Sequence, residues 1–233
     1  MTDRLVNHLV PCRFLPMNAL SSSPPATSTR TRRKDDRPAE LLQAALELFA
    51  EKGYSATRSE EIAKRAGVSK GTLFLYFGTK EELFEAVVKH AVVPVLHDAQ
   101  ALAKNFTGSA SELISMLIRL WWQRSGSTIT RAIPNMLISE AHHFPHCAAY
   151  YEEEVLIPCR QLVYDAVAMG VASGEFRKVD MGHLWLSFHS LLTYPSIWEK
   201  AVRSASSVLL SEDTDMGAFI EQHCELLLRG LRA

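Results

Sequence analysis

Between Thr57 and Lys80 the chain gathers hydroxyls, cations and aromatic rings at short intervals: Thr57, Arg58, Ser69, Lys70, Thr72, Phe74, Tyr76 and Lys80. Hydroxyl, ammonium and guanidinium groups donate hydrogen bonds to phosphate oxygens and base edges, and apolar tips meet thymine methyls. The stretch carries no catalytic signature: GxSxG, HExxH, the P-loop and GxGxxG are absent, and the acids of the rear half are scattered over helix surfaces. The expectation is a binding protein without enzyme activity or cofactor. A second cluster, "EAHHFPHC" at 140–147, puts His142, His143, His146 and Cys147 close together. Its spacing is irregular, Pro145 breaks the helix and no second cluster accompanies it, so no metal is expected.

The elements that must hold the first cluster are helical. "PAELLQAALELFAEKG" places Leu41, Leu42, Ala45, Leu46, Leu48 and Phe49 at helical spacing, with Pro38 in the first turn and Gly53 at the stop. Thr57 and Glu60 have capping-box spacing for a second helix with Ile62, Ala63 and Ala66 on its apolar face. Gly67 supplies the turn, Ser69 caps a third helix to about Phe77, and Thr79 with Glu82 opens a fourth. Three short helices with a glycine turn between the second and third match a helix-turn-helix. Ala63 is small where the two helices cross, and Val68 and Leu73 face the small core. The third helix then turns Lys70, Gly71 and Thr72 toward a groove and offers its free N-terminal amides to phosphate.

With those residues in place, "TRSEEIAKRAGVSKGTLFLYFGTKEELFEAV" closely resembles the DNA-binding signature of the tetracycline-repressor (TetR) family, over about residues 37–90. The resemblance implies a homodimer that binds a palindromic double-stranded DNA operator and lets go when a small molecule enters a second, helical domain. It gives Thr57 and Arg58 phosphate contacts, with Arg58 in place of a more usual Thr. It puts Ser69, Lys70, Gly71 and Thr72 at the start of the recognition helix, Lys70 and Thr72 reading base edges and Gly71 letting the backbone come close. Phe74 and Leu75 fall where the family often has Tyr or a polar residue, which leaves them apolar contact with thymine methyls. Tyr76 and Lys80 match phosphate contacts. The alternatives are an activator of the same family and a ligand-independent architectural DNA-binding protein.

Behind this head no strand signal or internal repeat is visible. Helices are expected over roughly 79–104, 110–124, 128–143, 146–173, 180–202 and 214–231, with Pro94, Pro134, Pro158 and Pro195 kinking or shortening them. The fold class is all-α: a leader at 1–36, a helix-turn-helix domain at 37–83 and a helical ligand-binding and dimerisation domain at 84–233. The leader is rich in Ser, Thr and Pro, too poor in apolar residues to fold, and ends in a basic cluster of Arg30, Arg32, Arg33 and Lys34. For the pocket that the resemblance implies, the large residues Trp121, Trp122, Met136, Phe144, Tyr151, Tyr164, Trp185 and Phe188 are candidates, and the effector is expected to be apolar. Apolar stripes on the last two helices, with Leu184, Phe188 and Leu191 on one and Phe219, Ile220 and Leu227 on the other, are candidates for the dimer interface.

Charge agrees with that division. Residues 1–80 carry 13 Lys/Arg against 8 Asp/Glu, and residues 81–233 carry 12 against 18, so a polyanion is expected at the front. Four cysteines without a CxxC pair suggest reduced thiols and a cytoplasmic protein. No uninterrupted run of 18 apolar residues occurs, so no membrane span is expected, and Asn7, His8 and Pro11 break the apolar run a secretory signal needs.

Overall fold

Helix α1, Arg37–Lys52, owes its orientation to the period of its apolar residues: Leu41, Ala45, Leu48 and Phe49 are all buried. The computed structural model describes residues 37–124, 128–201 and 215–233; the expected leader, with its basic cluster, lies outside the described residues. At the end of α1, Gly53 takes φ +83° and its amide donates to the Phe49 carbonyl at 3.0 Å. A left-handed residue is needed there, and glycine adopts it without penalty.

Helix α2, Ser59–Arg65, starts one residue later than the capping-box reading placed it. Its N-cap is Arg58, whose amide donates to the Glu61 carboxylate at 3.2 Å. Gly67, at φ +67°, turns the chain into α3, Lys70–Tyr76, and the Val68 amide closes back on the Ala63 carbonyl at 2.9 Å. The Ser69 hydroxyl caps α3 by accepting the Thr72 amide at 3.1 Å. Thr79 likewise caps α4, Lys80–Ala91, accepting the Glu82 amide at 3.1 Å, while the Glu82 carboxylate reaches back to the Gly78 amide at 2.8 Å.

The helix expected over 79–104 is two helices. Pro94 has no N–H for the carbonyl four residues back, and its ring crowds that turn, so α4 ends and α5, Val93–Lys104, begins around Val92. Helix α6, Ala110–Arg124, is held at its start by Glu175, whose carboxylate accepts the amides of Ala110 (2.8 Å) and Ser111 (3.1 Å). Helix α7, Thr128–Glu140, tolerates Pro134 in its interior. The span expected as one helix from 146 begins as α8, Pro145–Tyr151, passes through a π-helical turn at Glu152–Leu156 and continues as α9, Ile157–Ser173. The wider turn precedes Pro158, where a regular ladder would lose a donor. Gly174 stops α9, and α10, Met181–Ala201, and α11, Met216–Leu231, complete the bundle. An isolated antiparallel bridge joins Phe176 to Arg232, and among the described residues there is no strand.

Two apolar cores result. The front core joins α1–α4 with Ile133, Met136 and Leu137 of α7 and Cys147 and Tyr151 of α8. The rear core joins α6, α9, α10 and α11. Helix α7 therefore touches both parts, packing on α1 and on α10. The run Pro145–Ser173 is long enough to cross a membrane, and an 18-residue window in it has mean hydropathy 1.3, so the expectation of no such segment needs correcting on composition. Within it Val155, Ala166, Val167 and Gly170 are buried in the bundle.

Candidate nucleic-acid interface and apolar cavity

Helix α3 is anchored by one residue and free on the other side. Leu73 is 0% exposed, whereas Leu75 is 79% exposed and Lys70, Gly71 and Phe74 are also open to solvent. Leaving such apolar area uncovered costs solvation free energy, which contact with a partner recovers. Lys70 Nζ sits 5.7 Å from the Phe74 ring centre and pairs with the Glu60 carboxylate at 2.5 Å. Its hydrogen bond holds Glu60 below the usual carboxylate range. Nothing but the Ser69 hydroxyl, 3.8 Å away, would meet a Cβ at Gly71, so a second backbone has room to approach there. The Ser69 and Thr72 hydroxyls lie 2.9 Å apart at the exposed start of the helix. Arg58 is exposed with no ion pair among the described residues, and Tyr76 is half-buried against the front core.

Two residues of the expected set do not face outward. Thr57 is 1% exposed, and its hydroxyl donates to the carbonyls of Leu48 (3.1 Å) and Gly53 (2.7 Å). Its side chain ties the α1–α2 corner together and is not presented to phosphate. Lys80 is folded inward: Nζ donates to the Tyr54 carbonyl at 2.5 Å and lies 4.3 Å from the Tyr54 ring centre. Burial holds its pKa below the ordinary lysine value. A phosphate contact by Lys80 therefore requires it to leave that site. Sequence spacing revealed neither fact, because both depend on where the Tyr54 loop packs.

That loop is also fastened to the rear. The Glu140 carboxylate, at the end of α7, accepts the Ser55 amide at 2.8 Å and the Ser55 hydroxyl. It occupies the space beside Gly53 that a Cβ would fill. Phe144 packs edge-on against Tyr54, with ring centres 4.4 Å apart.

In the rear half an apolar cavity of about 70 Å³, partly open to solvent, lies between α5, α6, α9 and α10. Of the large residues proposed to line a pocket, Trp121, Trp185 and Phe188 do so. The others are placed elsewhere. Met136 and Tyr151 belong to the front core, Phe144 packs against it, Trp122 packs against the rear core, and Tyr164 is half-buried on α9 away from the cavity. Most of the wall is aliphatic, including Val95, Leu96, Ile114, Leu117 and Leu162, which a search for large aromatics passes over. Cys159 shares this wall, and burial pushes its thiol up to about 11. Cys147, Cys159 and Cys224 are free thiols.

The expected dimer stripe needs correcting as well. Leu184, Phe188, Leu191 and Ile220 are buried inside the rear core of one chain, with Phe219 and Leu227 half-buried against it. Among the described residues, the exposed large apolar side chains of the last two helices are Leu186, Tyr194 and Leu226. Around 140–147, the rings of His142 and His143 lie 3.8 Å apart, His146 Nδ1 is 3.5 Å from Glu85 and Cys147 is buried. Among the described residues no three ligating side chains converge.

Residues 41–87 match the family model described as "Bacterial regulatory proteins, tetR family". Over 209 residues the chain is 25% identical to the HTH-type transcriptional regulator RutR of Escherichia coli K12, covering 88% of this chain and 95% of that protein. Over 80 residues it is 38% identical to the HTH-type transcriptional activator FasR of Mycolicibacterium smegmatis, covering 34% of this chain and 36% of FasR. Its fold is that of the regulator FadR from Bacillus subtilis, solved in complex with stearoyl-CoA, with a TM-score of 0.64, 20% identity, and coverage of 83% of this chain and 99% of that one.

Proposed function

Because this chain is a TetR-family transcriptional regulator, we propose that it represses transcription from a palindromic operator and is released by a small apolar effector bound in the rear bundle. The observation that carries the DNA half is the free face of α3, anchored by Leu73 and exposing Lys70, Gly71, Phe74 and Leu75. In this reading Lys70 and Thr72 read base edges, Phe74 and Leu75 contact thymine methyls, and Arg58, Ser69 and Tyr76 hold phosphates. Thr57 shapes the corner that presents Arg58, and Lys80 contributes only if DNA draws it away from Tyr54.

One short recognition helix covers few base pairs, so tight binding calls for two copies about one helical turn apart. The partner face is the outward one of α10 and α11. On α10, Leu186, Ser190 and Tyr194 share a face, and on α11 Phe219, His223 and Leu226 do; neither set holds a Lys, Arg, Asp or Glu. An uncharged exposed face with apolar centres suits a self-complementary interface. The effector half rests on the apolar cavity, whose wall includes no charged side chain. The reduced thiols suit the cytoplasm, where such a regulator meets its operator.

Release follows if filling the cavity moves α10 and with it α7, since α7 carries Glu140 to the Ser55 amide beside α2. The test is selection of a binding site from random duplex DNA, followed by footprinting. A palindrome protected by a dimer is expected. Recovery of a single half-site bound by a monomer, or of no preferred sequence, refutes the reading.

A further inference from the structure

The recognition helix α3 is short of the groups that usually tell bases apart. Its seven residues, KGTLFLY, include no Arg, Asn, Gln, Asp or Glu. The amide pairing with adenine, the guanidinium pairing with guanine and the carboxylate pairing with cytosine are therefore not available to it. Of its polar groups, the Thr72 hydroxyl already lies 2.9 Å from the Ser69 hydroxyl, and the Lys70 ammonium is a single point charge. Tyr76 is half-buried against the front core. What α3 presents in quantity is apolar surface.

Leu75 carries most of it, as the most exposed large apolar side chain among the described residues. Helical side chains lean toward the N-terminus, so Leu75 lies over the turn that holds Gly71. Gly71 has no side chain to shield it, and only the Ser69 hydroxyl stands within 4 Å of where one would begin. Seven helical residues span about 10 Å, within a major groove about 12 Å wide, so the second turn of α3 reaches base edges along with the first. The one apolar group on those edges is the C5-methyl of thymine. Leu75 has no donor or acceptor in its side chain. It is therefore blind to the neighbouring group at C4, a carbonyl in thymine and an amine in cytosine.

We propose that Leu75 reads a C5-methyl group and not a particular base, so that α3 accepts 5-methylcytosine where it accepts thymine and rejects unmethylated cytosine there. Affinity for an operator with cytosine at that position is then set by its methylation. This inference rests on the reading of α3 as the DNA-contacting helix. It extends that reading from thymine to any pyrimidine that carries the methyl.

The full chain is titrated by fluorescence anisotropy against the operator recovered by selection. Each thymine is replaced by uracil, which removes the methyl alone, one position at a time in both half-sites. Losing one buried methyl lowers affinity about fourfold, so the symmetric change costs about tenfold to twentyfold at the position Leu75 meets. There 5-methylcytosine paired with guanine binds within about twofold of thymine, and cytosine binds as weakly as uracil. Leu75→Ala keeps the wild-type Tm, since the side chain is exposed, and removes most of the uracil loss at that position and no other. A palindrome with no such thymine, or one whose uracil scan is flat, overturns the inference and leaves operator recognition by α3 standing. Equal weakness of 5-methylcytosine and cytosine also overturns it, because the base and not the methyl is then read. A uracil loss that survives Leu75→Ala assigns the methyl to another side chain and refutes the role of Leu75. If selection returns no preferred sequence, the inference and the reading of α3 fall together.

Discussion

Replacing Lys70 by Ala separates the reading of bases from the upkeep of the fold. In the free protein Lys70 contributes one ion pair, with Glu60, and both side chains are more than half exposed. Such an exposed pair is screened by solvent and adds little to stability, so the Tm of Lys70→Ala should stay close to that of the wild type. A base-edge contact is worth roughly 1–3 kcal/mol of discrimination at one position. At about 1.4 kcal/mol per tenfold, that is a loss of about fivefold to 150-fold on the preferred base pair. The assay is fluorescence anisotropy with the selected operator, with operators altered one base pair at a time, and with random duplex, all at one salt concentration. Lys70→Ala should flatten the response at a single position of each half-site and change random-duplex binding little. Glu60→Gln removes the carboxylate that competes with the base edge for Lys70, so it should tighten binding to the selected operator more than to random duplex. If Lys70→Ala weakens specific and random DNA by the same factor, Lys70 contacts phosphate and the base-reading assignment is wrong.

Lys80→Ala should lower Tm, because it empties the site on the Tyr54 carbonyl and ring, while leaving the salt dependence of DNA binding unchanged; a flatter log–log salt slope, by about one unit, would identify it as a phosphate ligand after all. Leu186→Arg and Leu226→Arg should each give a folded 26.0 kDa monomer in sedimentation with poor operator affinity, whereas Leu191→Arg should unfold the rear core. Glu175→Gln should destabilise by about 1 kcal/mol at neutral pH through loss of the cap on α6. Burial pushes the Glu175 carboxyl up, but the bonds from Ser111 and Ala110 outweigh it and leave it below the usual range. Its contribution is therefore present above an unfolded carboxylate value of about 4.3 and fades as pH falls through the lower folded value, so melting curves of wild type and variant should converge in acid. A gap that widens in acid would show that the carboxylate does not act as the cap.

What could be read from the sequence was local. Ser69, Thr79 and Gly67 act through residues within four positions of themselves, and each does in the structure what its spacing implies. The apolar period of α1 likewise identifies its buried face. Reading failed where a residue's partner is distant. Glu175 caps α6 from 64 residues or more away, and Glu140 reaches Ser55 across 85, so neither leaves a pattern in a short window. The stripes on α10 and α11 were visible as stripes, but periodicity says that a face is buried and not by what. Leu184 and Ile220 turned out to meet their own chain. The cavity wall was hidden for a different reason: aliphatic residues such as Leu162 look identical in sequence whether they face a void or fill one.

The contact between Glu140 and the corner at Gly53 constrains how relatives of this chain can diverge. Position 53 needs a left-handed backbone, and the volume beside it is filled by a carboxylate from α7. A Cβ at 53 would displace the Glu140 carboxylate from the Ser55 amide, besides straining the left-handed backbone, so glycine at 53 and a carboxylate at 140 should occur together among proteins that share this corner. The same pairing limits recombination. A DNA-binding head exchanged between relatives at a breakpoint near residue 90 would inherit a loop built for one residue at 140 and a helix carrying another. Chimeras that keep the native pair at 53 and 140 should regulate; those that split it should still bind DNA yet lose their answer to the effector.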